Sequence, residues 1–197
     1  MNIANLLTLS RMALTPVYLL LLFLGDAVSS VAALGVFIVA ALTDLWDGQV
    51  AHARGEVTPF GKFMDPLADK VLVVSGLLGL SILGVVPYWV VAIIVVRELF
   101  VTGLRSYVAG RGEFVKPSML ARMKTALQMG AVALGTAELA LDNWAPALGM
   151  QWTLEQSLGL NGTLVWVMYL TAAVTVWTGV SYLWRSREIL GEEIRGK

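Results

Sequence analysis

Six runs of apolar residues, each long enough to cross a lipid bilayer, limit what this chain can fold into more than any other feature. A helix needs roughly 20 residues to cross the hydrocarbon core. Only 14% of the residues are charged and 57% are hydrophobic, whereas charged residues average about 25% in soluble domains. The runs cover residues 8–24, 31–52, 62–84, 87–108, 119–141 and 163–184. Because a helix forms its backbone hydrogen bonds within itself, the sequence predicts an all-α, polytopic membrane protein with six transmembrane helices, in a single domain over residues 1–197.

The distribution of basic residues predicts how these helices are oriented. The loops after the first, third and fifth runs contain no Lys or Arg, whereas Arg54, Arg111, Lys116 and the segment after residue 184 carry basic charge. Cytoplasmic loops of membrane proteins are enriched in Lys and Arg. We therefore expect both termini, and the loops after the second and fourth runs, on the cytoplasmic side of a plasma membrane such as a bacterial inner membrane.

Four aspartates lie where the second run ends and the third begins. Charge inside a membrane segment is costly and usually serves function. On helices, the spacings i, i+3, i+4, i+7 and i, i+4, i+8 each define one face. The residues with these spacings are Asp44, Asp47, Gly48 and Ala51, then Gly61, Asp65 and Asp69. Converging carboxylates suit Mg²⁺ or Mn²⁺. The alternative is a structural network with Arg54, Lys62 and Lys70, although four acids outnumber these three bases.

The same residues resemble a known family signature. The pattern Asp44-x2-Asp47-Gly48-x2-Ala51, followed by Gly61-x3-Asp65-x3-Asp69, is similar to that of the CDP-alcohol phosphotransferases, membrane enzymes of phospholipid synthesis. That family usually has Arg directly after the alanine, where this chain has His52, and Arg54 is a candidate substitute. The resemblance implies six transmembrane helices and a homodimer.

Roles for individual residues follow from this resemblance. Asp44, Asp47 and Asp65, completed by Asp69, would ligate two Mg²⁺ or Mn²⁺ ions, and Asp69 would also be the general base on the acceptor hydroxyl. The site for the nucleotide of a CDP-lipid would comprise Asp44, Gly48, Ala51, His52, Gly61 and Asp65.

A second group consists of three basic residues and one serine, and it lies in the fourth and fifth runs and the loop between them. We expect it to bind the phosphate of an anionic acceptor, since basic side chains recognise phosphate. Its members are Arg105, Lys116, Ser118 and Lys124. The alternative is a solvated cytoplasmic loop, chiefly for Arg111 and Lys116. Arg97 is expected to pair with Glu98 or with one of the aspartates, and to serve structure first.

This region also resembles one branch of the family, the phosphatidylglycerophosphate synthases. The similar residues are Arg97-Glu98-Leu99, Gly103-Leu104-Arg105, Lys124-Thr125 and Gln128. That branch usually has Gly-Lys where this chain has Ala121-Arg122. The resemblance implies transfer of a phosphatidyl group from CDP-diacylglycerol to sn-glycerol 3-phosphate, with release of CMP.

Other functions remain open at this point. Within the same chemistry the acceptor could be inositol phosphate or phosphatidylglycerol. A cation-coupled or proton-coupled transporter would use the acids as an ion path, but they cluster near one membrane face and the chain shows no inverted repeat. The departures at His52 and at Ala121-Arg122 also fit an inactive relative. The expected partners are the lipid bilayer, the two substrates and a second copy of the chain, with no nucleic acid.

Overall fold

The computed structural model describes the backbone of residues 3–54, 59–110, 119–146, 149 and 160–194. It describes the side chains of residues 8–43, 68, 70–108, 123–146, 149, 162 and 164–184. In this part of the chain the architecture is all-α, with six helices, as predicted. The helices are α1 (Ile3–Leu24), α2 (Ala27–Arg54), α3 (Pro59–Ile82), α4 (Tyr88–Gly110), α5 (Met119–Trp144) and α6 (Leu160–Ile194).

Each helix overlaps one predicted span, and the largest difference is at the end of α6. This helix continues to Ile194, whereas the apolar run ends at residue 184. The added segment contains Arg, Glu, Leu and Ile, of which Arg, Leu and Glu are strong helix formers. Hydropathy detects the end of the apolar surface and not the end of the helix.

The turn between α1 and α2 is built by Gly25 and Asp26. Gly25 has a φ of 71°, a conformation that glycine adopts without steric cost. Asp26 caps α2, because its Oδ1 accepts hydrogen bonds from the backbone N–H groups of Val28 and Ser29, both at 3.0 Å. The hydroxyl and the backbone N–H of Ser29 are the main causes that lower the pKa of the exposed Asp26 carboxyl. The acid therefore stays ionised at the positive end of the helix dipole.

Consecutive helices run in opposite directions. Asn143, at the end of α5, donates a hydrogen bond of 2.6 Å to Ser30, at the start of α2. Lys70, in the first half of α3, donates one of 2.6 Å to Thr102, in the second half of α4. The end of the bundle at which α2 ends and α3 begins, here called the carboxylate end, is therefore also where α4 ends and α5 begins.

The helices pack around a core in the middle of the bundle. Helix α1 packs against α2 and α3, α2 against α5, α3 against α4 and α5, and α6 against α4 and α5. The fully buried side chains at the centre include Tyr18, Leu77, Ile94 and Met168. The Tyr18 hydroxyl lies 2.9 Å from the hydroxyl of Thr136, which satisfies both groups in an apolar interior.

Many large apolar side chains lie on the outside of the bundle. Leu20, Val28, Leu99 and Trp166 are each more than 60% exposed, as expected of surfaces that face lipid. Within the described residues, one segment, Leu164–Trp184, is long and apolar enough by itself to cross a membrane. Shorter apolar stretches occur at Thr8–Leu24, Ala27–Thr43 and Lys70–Ile82. The all-α fold of six helices is confirmed, whereas six membrane crossings remain a prediction.

Candidate active site

The predicted metal residues lie on two helices that meet at the carboxylate end. Asp44 and Asp47 belong to the last turns of α2, and Asp65 and Asp69 to the first half of α3. Both segments are helical, so the spacing that places each set on one helix face is realised in the backbone. The donor set, four carboxylates on consecutive helices, fits one or two hard divalent cations. Among the described side chains no group of three metal-ligating residues occurs, and the four aspartate side chains lie outside that set.

Contacts around Tyr18 establish how α1, α2 and α3 are aligned along the bundle. The Tyr18 ring lies 5.4 Å from the ring of Phe37 on α2, measured between centroids. A Cβ added to Gly76 on α3 would come 3.5 Å from Tyr18 Cε1. Tyr18, Phe37 and Gly76 therefore lie at one level of the bundle.

Two helical turns towards the carboxylate end, the same alignment brings an arginine level with two of the acids. Since α1 and α3 run parallel and α2 antiparallel, Arg11 lies at the level of Asp44 and Asp69. The Arg11 side chain is completely buried. It belongs to the buried stripe of α1 that also contains Thr8, Thr15 and Tyr18. A cation buried at this level complements an anionic site.

Lys124, one of the predicted phosphate-binding residues, is buried and pairs with Glu98. Its ammonium donates to Oε1 of Glu98, so that α5 is joined to α4. The same oxygen accepts a hydrogen bond of 3.1 Å from Arg97 Nη1, and Gln128 Nε2 lies 3.4 Å away. Pairing of Arg97 with Glu98 was expected, but the pairing of Lys124 with Glu98 was missed. Opposite charges in two neighbouring apolar helices are the signal that could have found it.

Arg97 extends this polar network to α6. Its Nη2 donates a hydrogen bond of 2.7 Å to the Thr178 hydroxyl. A Cβ on Gly179 would lie 3.2 Å from Arg97 Cγ, so the glycine leaves room for the arginine to pass. Arg97 therefore links Glu98 to α6, and Lys124 links it to α5.

Lys70 brings a further cation to the region between the two groups of residues. It follows Asp69 directly in α3, and its ammonium donates to Thr102 Oγ1 at 2.6 Å. Thr102 lies one helical turn beyond Glu98 on α4. The basic network of α4 and α5 is thus adjacent to the helix that carries Asp69.

The remaining predicted acceptor residues differ in their placement. Arg105 is exposed, and its guanidinium carbon lies 5.7 Å from the ring centroid of Tyr182 on α6, a cation–π contact. Lys116 and Ser118 lie outside the described residues. Of the four, the structure therefore buries Lys124 in the network and places Arg105 towards the surface at the same end of the bundle.

A comparison with protein families matches a range that contains both groups of residues. The family described as CDP-alcohol phosphatidyltransferase matches residues 1–177. This range includes the aspartates of α2 and α3 and the basic residues of α4 and α5. The chain belongs to this family. Membership confirms the resemblance drawn from the Asp44–Asp69 pattern.

Relatives within the family are similar over most of their length. A protein of Mycobacterium tuberculosis named probable phosphatidylglycerophosphate synthase is 40% identical over 193 residues, covering 96% of this chain and 84% of the relative. A Rickettsia bellii protein named CDP-diacylglycerol–glycerol-3-phosphate 3-phosphatidyltransferase is 33% identical over 184 residues, covering 92% and 93%. A Bacillus subtilis protein of the same name is 42% identical over 144 residues, covering 67% and 75%.

Proposed function

We propose that the protein transfers the phosphatidyl group of CDP-diacylglycerol to sn-glycerol 3-phosphate, forming phosphatidylglycerophosphate and CMP. The observation that carries this proposal is membership of the CDP-alcohol phosphatidyltransferase family, with relatives named for this reaction along nearly the whole chain. In the reaction the acceptor oxygen bonds to the phosphorus that bears the lipid. The bond from that phosphorus to CMP breaks, and CMP leaves with the electron pair.

The aspartates of α2 and α3 would hold the metal ions of this reaction. Asp44, Asp47, Asp65 and Asp69 would bind Mg²⁺ or Mn²⁺, which neutralise the diphosphate and stabilise the leaving CMP. Asp69 would accept the proton of the acceptor hydroxyl, since a carboxylate at the metal site is close enough to act as general base. Gly48 and Gly61 have no side chain, and Ala51 has only a methyl group. The nucleotide could therefore approach the backbones of α2 and α3 closely, with His52 beside it.

The charge of the polar network supports a phosphorylated acceptor. Lys124 and Arg97 both contact Glu98, and the ammonium of Lys70 donates to Thr102, one helical turn further along α4. A phosphate monoester carries a charge of about −2 at neutral pH, so basic side chains of this kind would attract it. We infer that Lys124 and Arg105, joined by Lys116 and Ser118, bind the acceptor phosphate. Inositol phosphate carries the same group and is the acceptor to compare.

The bilayer is the proposed setting of the reaction. The apolar Leu164–Trp184 segment and the absence of basic residues from three alternate loops support an integral membrane protein whose carboxylate end faces the cytoplasm. There it would meet water-soluble glycerol 3-phosphate and the head group of CDP-diacylglycerol. A homodimer is proposed from the family resemblance.

The test is CMP release by the purified protein from CDP-diacylglycerol with Mg²⁺ or Mn²⁺. We expect release that depends on glycerol 3-phosphate, exceeds that with inositol phosphate, and falls by at least about 100-fold in Asp69→Asn, because a general base contributes on this scale. Asp26→Asn is the matched control, since it changes an acid at the opposite end and Asn also caps helices well. Release that is independent of any acceptor, or unchanged in Asp69→Asn, would contradict the proposal.

A further inference from the structure

Glu98 is a buried acid that contacts cations on two helices. The Glu98 and Lys124 side chains are 9% and 7% exposed, so water screens their charges little. We propose that Glu98 is a positioning residue of the acceptor pocket: its carboxylate holds the Lys124 ammonium in place to bind the acceptor phosphate, without itself touching substrate. This inference rests on the proposed function.

The Lys124 ammonium has enough N–H donors to contact Glu98 and the acceptor phosphate at the same time. An ammonium group has three N–H donors, and one of them is directed at Glu98 Oε1. Among the described residues the ammonium has no second acceptor, so its other two donors can bind phosphate oxygens. A lysine side chain has four rotatable bonds and loses much rotamer freedom when it is fixed. The contact with Glu98 fixes it before the acceptor binds, and so lowers the entropic cost of binding.

Glu98 is itself fixed on two sides. Arg97 Nη1 donates to the same carboxylate oxygen at 3.1 Å, and Arg97 Nη2 donates to Thr178 at 2.7 Å. Gln128 Nε2 lies 3.4 Å from that oxygen, one turn beyond Lys124 on α5. Neighbours on α5 and α6 therefore determine where the carboxylate lies, and the carboxylate determines where the ammonium lies.

Two roles for Glu98 predict opposite effects on acceptor affinity. If Glu98 served only to offset positive charge, its neutralisation would strengthen the field of Lys70, Arg97 and Lys124 and tighten the binding of a dianion. If Glu98 positions Lys124, its neutralisation releases the ammonium, which moves away from Arg97 by like-charge repulsion. Acceptor binding then weakens.

The experiment compares Glu98→Gln with the wild type in the full-length protein, using CDP-diacylglycerol and Mg²⁺. We expect KM for glycerol 3-phosphate to rise at least about tenfold while kcat changes less than about threefold, the pattern of a lost binding contact. Binding of CDP in the presence of Mn²⁺, measured by calorimetry, should be unchanged. The matched control is Glu138→Gln: Glu138 is also buried, at 6% exposure, but both its carboxylate oxygens lack a hydrogen-bond partner among the described residues. It should leave KM unchanged.

A double-mutant cycle tests whether Glu98 acts through Lys124. Lys124→Gln alone should raise KM for glycerol 3-phosphate. Adding Glu98→Gln to Lys124→Gln should raise it by less than about threefold more, because effects that act through one contact are not additive. If Glu98 had only a structural role, independent of Lys124, the two substitutions would act independently. The rise in KM of the double variant would then equal the product of the rises in the two single variants.

Three outcomes would overturn the inference: a KM that is unchanged or lower in Glu98→Gln, full additivity in the cycle, or an equal rise in Glu138→Gln. Where Glu98→Gln does not fold, Glu98→Asp keeps the charge and withdraws it by one methylene. That variant should raise KM with CDP binding retained, and an unchanged KM would equally overturn the inference. Failure of the proposed function would give a different result, because the wild type itself would then release no CMP in response to glycerol 3-phosphate.

Discussion

At the scale of single residues, Arg11 stands out as a charged side chain with no exposed surface. Its guanidinium group is completely buried, and the alignment of α1 with α2 and α3 places it level with Asp44 and Asp69. Burying a charge is costly unless opposite charge compensates it. We therefore interpret Arg11 as a resident cation of the acidic site, which reduces repulsion among the aspartates before metal binds.

Arg11→Met should destabilise the metal-free protein and increase its response to metal. Removing the cation that offsets these acids costs about 3 kcal/mol on the scale of buried ion pairs. Thermal unfolding in detergent should therefore show a lower Tm without metal and a larger rise in Tm with Mn²⁺ than in the wild type. Arg105→Met, at an exposed arginine, is the control and should leave the Mn²⁺ response unchanged. A wild-type Tm and Mn²⁺ response in Arg11→Met would show that Arg11 does not compensate the acids.

At the scale of helices, small residues allow α3 to approach its neighbours closely. A Cβ at Gly76 would come 2.7 Å from Val132 Cγ1 of α5, and one at Gly79 would come 2.8 Å from Leu22 Cδ2 of α1. Helix association in membranes depends on such close packing, because lipid offers no hydrophobic drive between helices. The position of α3, and with it that of Asp65 and Asp69, depends on these contacts.

Gly76→Ala should lower stability and activity together. The added methyl group meets a β-branched side chain that cannot easily change rotamer, and overpacking of this kind costs about 1–3 kcal/mol. Unfolding in a denaturing detergent titration should occur earlier, with a parallel loss of CMP release. Gly35→Ala on α2 is the matched control, since a Cβ there meets nothing within 4 Å. Equal stability of the two variants would argue against close packing at Gly76.

At the scale of the whole molecule, alternating helices separate two chemically different ends. The carboxylate end carries the aspartates of α2 and α3 and the last residue of α2, Arg54; in the sequence, Arg111 and Lys116 lie between α4 and α5, which end and begin there. The opposite end carries the Asp26 cap, Asp142 and a group of exposed aromatic residues. In that group the Trp89 and Tyr169 ring centroids are 5.4 Å apart, as is typical of a membrane interface. We interpret the first end as cytoplasmic.

Labelling of single cysteines should reveal this orientation. The natural chain has no cysteine, so each variant carries one thiol. In intact cells a membrane-impermeant maleimide should label Asp142→Cys, at an exposed position near the end of α5, and should label Ser186→Cys of α6 only after permeabilisation. The reverse pattern would place the carboxylate end outside the cytoplasm. It would also separate the site from its water-soluble substrate.

The sequence by itself determined the features that depend on periodicity within one helix. Apolar runs predicted six helices, and the structure has them, because hydrophobic length and turn residues such as Gly25 and Asp26 act locally. The spacing of Asp44, Asp47, Asp65 and Asp69 predicted two acidic helix faces and led to the family, since residues three or four apart share a face whatever the tertiary structure.

Only the tertiary structure decided which residues of different helices meet. The pairing of Lys124 with Glu98, the complete burial of Arg11 and the exposed position of Arg105 depend on the rotation and alignment of helices about their axes. Contacts distant in sequence set that alignment, such as Gly76 against Val132 and Tyr18 against Phe37. No local pattern encodes these contacts, because periodicity along one helix indicates that a residue is buried but not which residue of another helix it contacts.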